Sequence, residues 1–329
     1  MAARTISAPN VRFFHRLYGL IVESNIPIAG ALEARGEADV VVQFAEDRRP
    51  RLSGQAKQLS STHLFMLSRV DDGFVFDFPD GVQYVISAGG ARIEVRWPSQ
   101  FTGAYAATYL MNLVMAFVMR LRGHEVLHAS AALIDGRAVA FIGPSGAGKS
   151  TIAACMALRG FPVISEDVVA ITDRGTAFDI ASAHTIVRLC PDVAALLFDD
   201  ADRLPLIANA GWKRAFEVRD RFAAGRFELA AIYSIDDRRP GQQAPRVEPL
   251  QGSEALLDLI AATYRAGDTN TSPEEFERLG RIVKHVPMRL LVPGADLRTA
   301  PEMVDTIITN ESGRSRDDAG RRDVQSRRR

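Results

Sequence analysis

The chain has 329 residues, with 40 Lys and Arg against 40 Asp and Glu and a hydrophobic fraction of 47%. That length suggests about two domains with real cores, and the charge balance excludes a strong overall field for nucleic acid or an anionic membrane. Two cysteines, Cys155 and Cys190, without zinc-type spacing argue against a disulfide framework and a Cys/His metal site.

The N-terminus, "MAARTISAPNVRFFHRLYGL", lacks the long apolar region and small-residue cleavage site of a signal peptide. Ala38–Ala45, His63–Val70, Gly73–Pro79, Val82–Ala88 and Ala91–Trp97 are short, alternating and rich in β-branched or aromatic residues. Turn signals separate them, and the pattern predicts an antiparallel meander. The apolar run Ala104–Met119 is 16 residues long, short of the roughly 20 a membrane span needs. It predicts a buried helix over Phe101–Arg122, and a soluble, reducing, cytoplasmic protein.

Next come two predicted strands, Val126–Ile134 and Ala138–Ile142, joined by the hairpin signal Asp135–Gly136. A helix then runs from Ser150 to a glycine stop at Gly160, and "FPVISEDVVAIT" is the following strand. "HTIVRLCPDVAALLFDDADRL" reads as a strand, a turn and a short helix, and Phe227–Asp236 as a strand. Two helical stretches follow, the second opened by Ser272-Pro273-Glu274-Glu275. "MRLLVPG" is a last strand and "APEMVDTIIT" a last helix. The end, residues 311–329, is charged and has no apolar anchor, so it is expected to be disordered and solvated.

Gly143-Pro144-Ser145-Gly146-Ala147-Gly148-Lys149-Ser150 matches G-x-x-x-x-G-K-[ST] and continues into Thr151. Glycines let backbone N–H groups turn toward an anion with no Cβ in the way, and the helix that follows points its positive end at the same place. Lys149 would bind the β- and γ-phosphates, and the Ser150 hydroxyl would bind Mg²⁺. The run follows the apolar strand "AVAFI" and opens a helix, the context such a loop needs. The acids Glu166 and Asp167 follow closely: only 18 positions separate Lys149 from Asp167. That leaves room for one helix and one return strand. Neighbours on a regular strand face opposite ways, so both acids serve one site only if the strand ends or kinks there.

At these residues a family comes into view. Leu127–Ile171, "LHASAALIDGRAVAFIGPSGAGKSTIAACMALRGFPVISEDVVAI", closely resembles the core of HPr kinase/phosphorylase and its relatives. The resemblance implies an α/β chain (α+β overall) with a PEP-carboxykinase-like nucleotide-binding core behind an N-terminal β-rich domain. The expected division is 1–122, 123–310 and a tail at 311–329. "YGLIVESNIPI" (Tyr18–Ile28), "HTIVRLCPD" and "KHVPMRLLVP" extend a looser resemblance to longer stand-alone members. Some of those are serine kinases of ribosomal peptides, including lasso-peptide precursors.

The resemblance implies that Glu166 is the base and Asp167 the Mg²⁺ partner, where the family usually has two aspartates. It makes His128 the family histidine, orienting Glu166 or shifting its pKa. His124 is expected at the surface. Phosphoryl transfer needs positive charge over the moving group, and Arg188 and Lys213 are the candidates, although each is also an ordinary surface charge. The motif that grips HPr is not visible, so the resemblance does not carry HPr over as the acceptor, and whether phosphorolysis occurs is left open. The expected activity is ATP- and Mg²⁺-dependent transfer to a serine hydroxyl of a peptide or protein. No nucleic-acid or membrane partner is expected, and homo-oligomer formation is left open. A metabolite kinase and a nucleotide-binding regulator without transfer activity are the alternatives.

Overall fold

The computed structural model describes residues 11–46, 56–265 and 271–326. Residues 1–10, which begin the stretch read against a signal peptide, and 327–329 of the tail lie outside them. The chain is mixed α/β, with several mixed sheets.

Among the described residues, 13–97 supply one nine-stranded sheet. The meander holds over Met66–Val70, Gly73–Asp77, Gln83–Ser87 and Arg92–Trp97, and it gains an antiparallel strand that was not predicted, Lys57–Ser61, beside the first of these. Val40–Glu46 departs from the predicted meander. It lies parallel to both Leu20–Ser24 and Arg92–Trp97. Its alternation buries Val40, Val42 and Phe44, which sets the buried face but says nothing about the neighbour. The tight Phe13–Leu17/Leu20–Ser24 hairpin, turning at Tyr18 and Gly19 with φ of 53° and 79°, was not expected from the residues themselves.

The apolar run forms Gly103–Tyr109, a π-helical turn Leu110–Val114, and Met115–Leu121. Thr102 caps it by accepting from Tyr105 N at 3.1 Å. The continuous helix, Gly103–Leu121, is 19 residues long, which by length and composition is enough to cross a membrane. It lies within the predicted Phe101–Arg122 and extends the 16-residue apolar run at both ends. In this structure 56% of its most apolar window is buried, and Phe117 meets Phe74 and Phe76 of the sheet edge-on at 4.9 and 5.2 Å.

The second large sheet carries Arg137–Ile142 between an antiparallel partner, Ser130–Ile134, and a parallel one, Arg226–Ile235. Its alternation splits two cores. Val139 and Phe141 pack with Ile152 and Met156 of the helix Lys149–Leu158 and with Met303, Val304 and Ile307 of the helix Ala300–Ser326. Ala138, Ala140 and Ile142 face Leu259 of the helix Gly252–Ala262 and Leu279 and Ile282 of Pro273–His285. A third, three-stranded sheet orders Ile186–Leu189, Ala210–Glu217 and Leu206–Ile207.

Two predicted strands are broken. Val126–Ile134 is divided into Glu125–Leu127 and Ser130–Ile134, and the strand around the acids into Val163–Ser165 and Val169–Asp173. In each case the first piece and the second find different neighbours. The last helix continues to Ser326, into the stretch expected to be disordered. Once a helix is nucleated by an anchored first part, each further residue adds a hydrogen bond at little cost.

Candidate functional site

Three strand ends bring the chemistry together. Ser130 pairs with Phe141, and Ala131 with Ser165. Arg137–Ile142 and Val163–Ser165 both run antiparallel to the strand between them, so they point the same way. The glycine loop and the acid pair therefore leave the sheet at one edge, and His128, just before Ser130, sits at that edge too. The predicted need for a kink is met at Asp167, whose φ is 68°. A non-glycine residue there is strained and worth a functional look.

Gly143–Gly148 forms the loop and Lys149 starts the helix. Gly143, Gly146 and Gly148 have φ of 147°, 85° and 113°. A Cβ at Gly143 would meet Ile235 O at 3.0 Å, whereas at Gly146 and Gly148 it would project into open space. Lys149 Nζ donates to the carbonyls of Gly143 (2.8 Å) and Pro144 (3.0 Å). Burial lowers its pKa, against the pull of Asp167 and Glu166. Ser145, Ser150 and Thr151 line the cavity at the loop. Ala147 N donates to Pro144 O at 3.2 Å, closing the turn.

The two acids have different surroundings. Glu166 is 1% exposed. Its Oε1 accepts from Ser150 Oγ at 2.6 Å, and its Oε2 lies 3.3 Å from Arg188 Nε. Burial raises its pKa, and Arg188 only partly offsets this. Asp167 is bound on Oδ2 by the Arg188 guanidinium and on Oδ1 by His128 Nε2 at 3.2 Å. Burial pushes its carboxyl up, but Arg188 and His128 together outweigh burial and hold it well below the usual range. Burial also works against the charge of Arg188, and the two carboxylates outweigh that, so the guanidinium keeps its proton more firmly than usual.

The observed contacts differ from the expected pairings. His128 touches Asp167 and not Glu166. Ser150 touches Glu166 and not Asp167. Lys213, on Ala210–Glu217, stands with Nζ 5.3 Å from the Trp212 ring centroid. His124, expected at the surface, is half-buried with Nδ1 3.1 Å from Thr172 Oγ1.

Residue reasoning missed the layer behind Arg188. Asn112, in the π turn of the apolar helix, is 5% exposed. With its amide oxygen toward the guanidinium, it accepts from Arg188 Nη1 (2.9 Å) and Nη2 (2.7 Å) and donates to His184 Nε2 (2.7 Å) and Met111 O (3.2 Å). The opposite orientation would aim amide N–H groups at a cation. A lone Asn in an apolar helix was the one available signal. Tyr18 is also brought in, with its hydroxyl donating to Met111 O at 2.8 Å. Burial and then the Asp167 charge raise the pKa of both Tyr18 and Tyr264, so both stay protonated.

Two cavities meet at this cluster. One, about 330 Å³, holds the loop from Ser145 to Thr151. The other, about 590 Å³, runs along the apolar helix past Tyr105, Tyr109 and Leu113 to Leu64 and Asp80, in turns between strands of the first sheet. His128, Asp167, Arg188 and Lys213 line both. Glu166 lines neither.

No family model matches the chain, and no curated protein matches it. Among solved structures it is similar to the Hpr(Ser) kinase/phosphatase from Coxiella burnetii, at 13% identity and a TM-score of 0.34, over 61% of this chain and 98% of that one. A likeness that weak says nothing about chemistry, which has to come from the geometry above.

Proposed function

We propose that the chain is an ATP-dependent phosphotransferase that phosphorylates a serine hydroxyl on a peptide or protein. The observation that carries this is the meeting of the two cavities at Asp167: one presents a phosphate-type loop, the other an open groove, and one carboxylate faces both. The open space above Gly146 and Gly148 suits a phosphate chain against backbone N–H groups and a helix N-terminus. Lys149 exchanges its two loop carbonyls for phosphate oxygens.

The Ser150 hydroxyl, which lines the loop cavity, is the oxygen that would hold Mg²⁺ beside the phosphates, with the buried Glu166 carboxylate behind it accepting its proton and orienting it. When bound there, Mg²⁺ supplies neutralisation of phosphate charge. Asp167 takes the role of base that the resemblance gave to Glu166. Its oxygen on the His128 side receives the proton of the acceptor hydroxyl. A low proton affinity is compatible with this, because a loose phosphoryl transition state demands little of the base before the new P–O bond forms. Arg188 and Lys213 place positive charge where negative charge moves. The groove continues from Asp167 along the apolar helix to Leu64 and Asp80, which leaves room for an extended segment.

The test is transfer of labelled γ-phosphate from ATP in an extract of the source cells, with Lys149→Ala as the blank. Label in a peptide or protein band, seen only with intact Lys149, supports the reading. Label confined to small molecules moves it to a metabolite kinase. Asp167→Asn is expected to cut transfer by roughly 10²–10⁴ while ATP still binds. Glu166→Gln is expected to raise the Mg²⁺ concentration needed for half-maximal rate. If Glu166→Gln removed the base and Asp167→Asn changed only the Mg²⁺ requirement, the roles would be those implied by the resemblance.

A further inference from the structure

Trp212 is 58% exposed, unlike the other tryptophan, Trp97, which is 8% exposed in the first core. It belongs to none of the buried cores among the described residues. A large ring left in water forgoes the stabilisation of burial, so its position calls for a reason.

The position is specific. Leu206–Ile207 and Ala210–Glu217 form a hairpin, and Arg214 is opposite Leu189, the last residue of the neighbouring strand. Trp212 precedes Arg214 and overhangs that strand end. There it lines the same cavity as Ser145, Gly146 and Lys149 of the glycine loop. The nearby walls of the cavity include Leu189, Val193 and Leu297. An aromatic ring and aliphatic side chains, with a phosphate-type cradle in the same cavity, suit a flat, apolar group attached to a chain of phosphates. The second groove is lined by Lys213, Asn209 and Ala210 but not by Trp212, so the ring serves the donor side. Lys213 Nζ, 5.3 Å from the ring centroid, adds a cation–π contact that steadies it and puts positive charge beside it.

We infer that Trp212 is the stacking platform for the base of a nucleotide phosphoryl donor, and that it makes the site prefer nucleoside triphosphates over bare polyphosphate. The inference rests on the nucleotide reading above and deepens it. Stacking is tolerant of base identity, because every base has a π face. The platform therefore supports ATP and GTP alike, and discriminates between a nucleotide and tripolyphosphate.

The experiment compares ATP and inorganic tripolyphosphate, each with Mg²⁺, on the full chain. ATP is expected to change the emission of Trp212, and tripolyphosphate to leave it nearly unchanged. The buried Trp97 remains as a reporter of folding once Trp212 is replaced. In calorimetric titrations Trp212→Ala is expected to weaken ATP binding roughly ten-fold or more and to leave tripolyphosphate binding as it was. Trp212→Phe keeps a ring and is expected to restore most of the ATP affinity. Equal losses for both ligands, or no loss for ATP, would overturn the platform while leaving ATP binding in place. Failure of the wild type to bind ATP would remove the platform together with the nucleotide reading.

Discussion

Burial, and then the neighbouring Arg188 guanidinium, push the pKa of His184 down to about 4, so the ring is neutral near pH 7. The unfolded chain binds a proton there near 6.5 and the folded chain does not. Stability from this group is therefore present above the unfolded value and is lost as pH falls toward 4. The full loss is roughly 3 kcal/mol for a shift of this size. Glu166, with its pKa raised, has the opposite sign, so the comparison is with His184→Gln and not with theory alone. Urea unfolding of both proteins at pH 7 and pH 5 is expected to show a steeper loss on acidification for the wild type. Parallel losses would mean that His184 is not held neutral. The loop was readable at this scale because its chemistry is local: three glycines, a lysine and a serine at fixed spacing. The environment of Glu166 was not, because Arg188 lies 22 positions from Glu166 toward the C-terminus and Asn112 lies 54 positions from it toward the N-terminus.

At the scale of elements, the π turn Leu110–Val114 has the most consequence. A π turn inside an α-helix is uncommon and often marks a functional site. Here it carries Asn112 onto Arg188. Asn112→Leu keeps the volume and removes the acceptor. Hydrogen bonds to a charged group contribute about 1.5–3 kcal/mol, so kcat is expected to fall roughly 10- to 100-fold with the Kd for ATP unchanged. Asn112→Asp, which keeps an acceptor for Arg188, should recover part of it. A kcat that did not change would show that Arg188 needs no brace. The Asp135–Gly136 turn was legible from two residues, and its φ values of 50° and 76° fit the primed turn. The break at His128 was not legible, whereas the one at Glu166–Val168 was anticipated only through the demand that both acids serve one site. Both flanks of each break are apolar and β-prone, and only pairing with different neighbours separates them.

Across the whole molecule, the first sheet and the site are mechanically joined. Gly30 O accepts from Thr185 N at 2.8 Å and from Thr185 Oγ1 at 3.0 Å. The core of the first sheet takes in Val126, Val168, Ala170 and Ala183, from beyond the boundary expected at residue 122. Ligand binding at the loop should therefore stabilise the first sheet as well. In Trp212→Phe, where Trp97 is the remaining tryptophan, ATP at about 100 times its Kd is expected to raise the unfolding free energy read from Trp97 by roughly 2.7 kcal/mol. A Trp97 transition that ignored ATP would mean that the two parts unfold separately.

The sequence by itself determined what depends on neighbours along the chain: the glycine loop with its helix, the hairpin turn, the caps, and which faces of the strands are apolar. Tertiary structure decided which acid faces the groove, what holds Arg188, and where Val40–Glu46 inserts. The physical reason is the same in each case. Local propensity and periodicity act over a few residues, whereas a buried charge is partnered, and its pKa set, by whatever distant side chain the packing brings within about 3 Å.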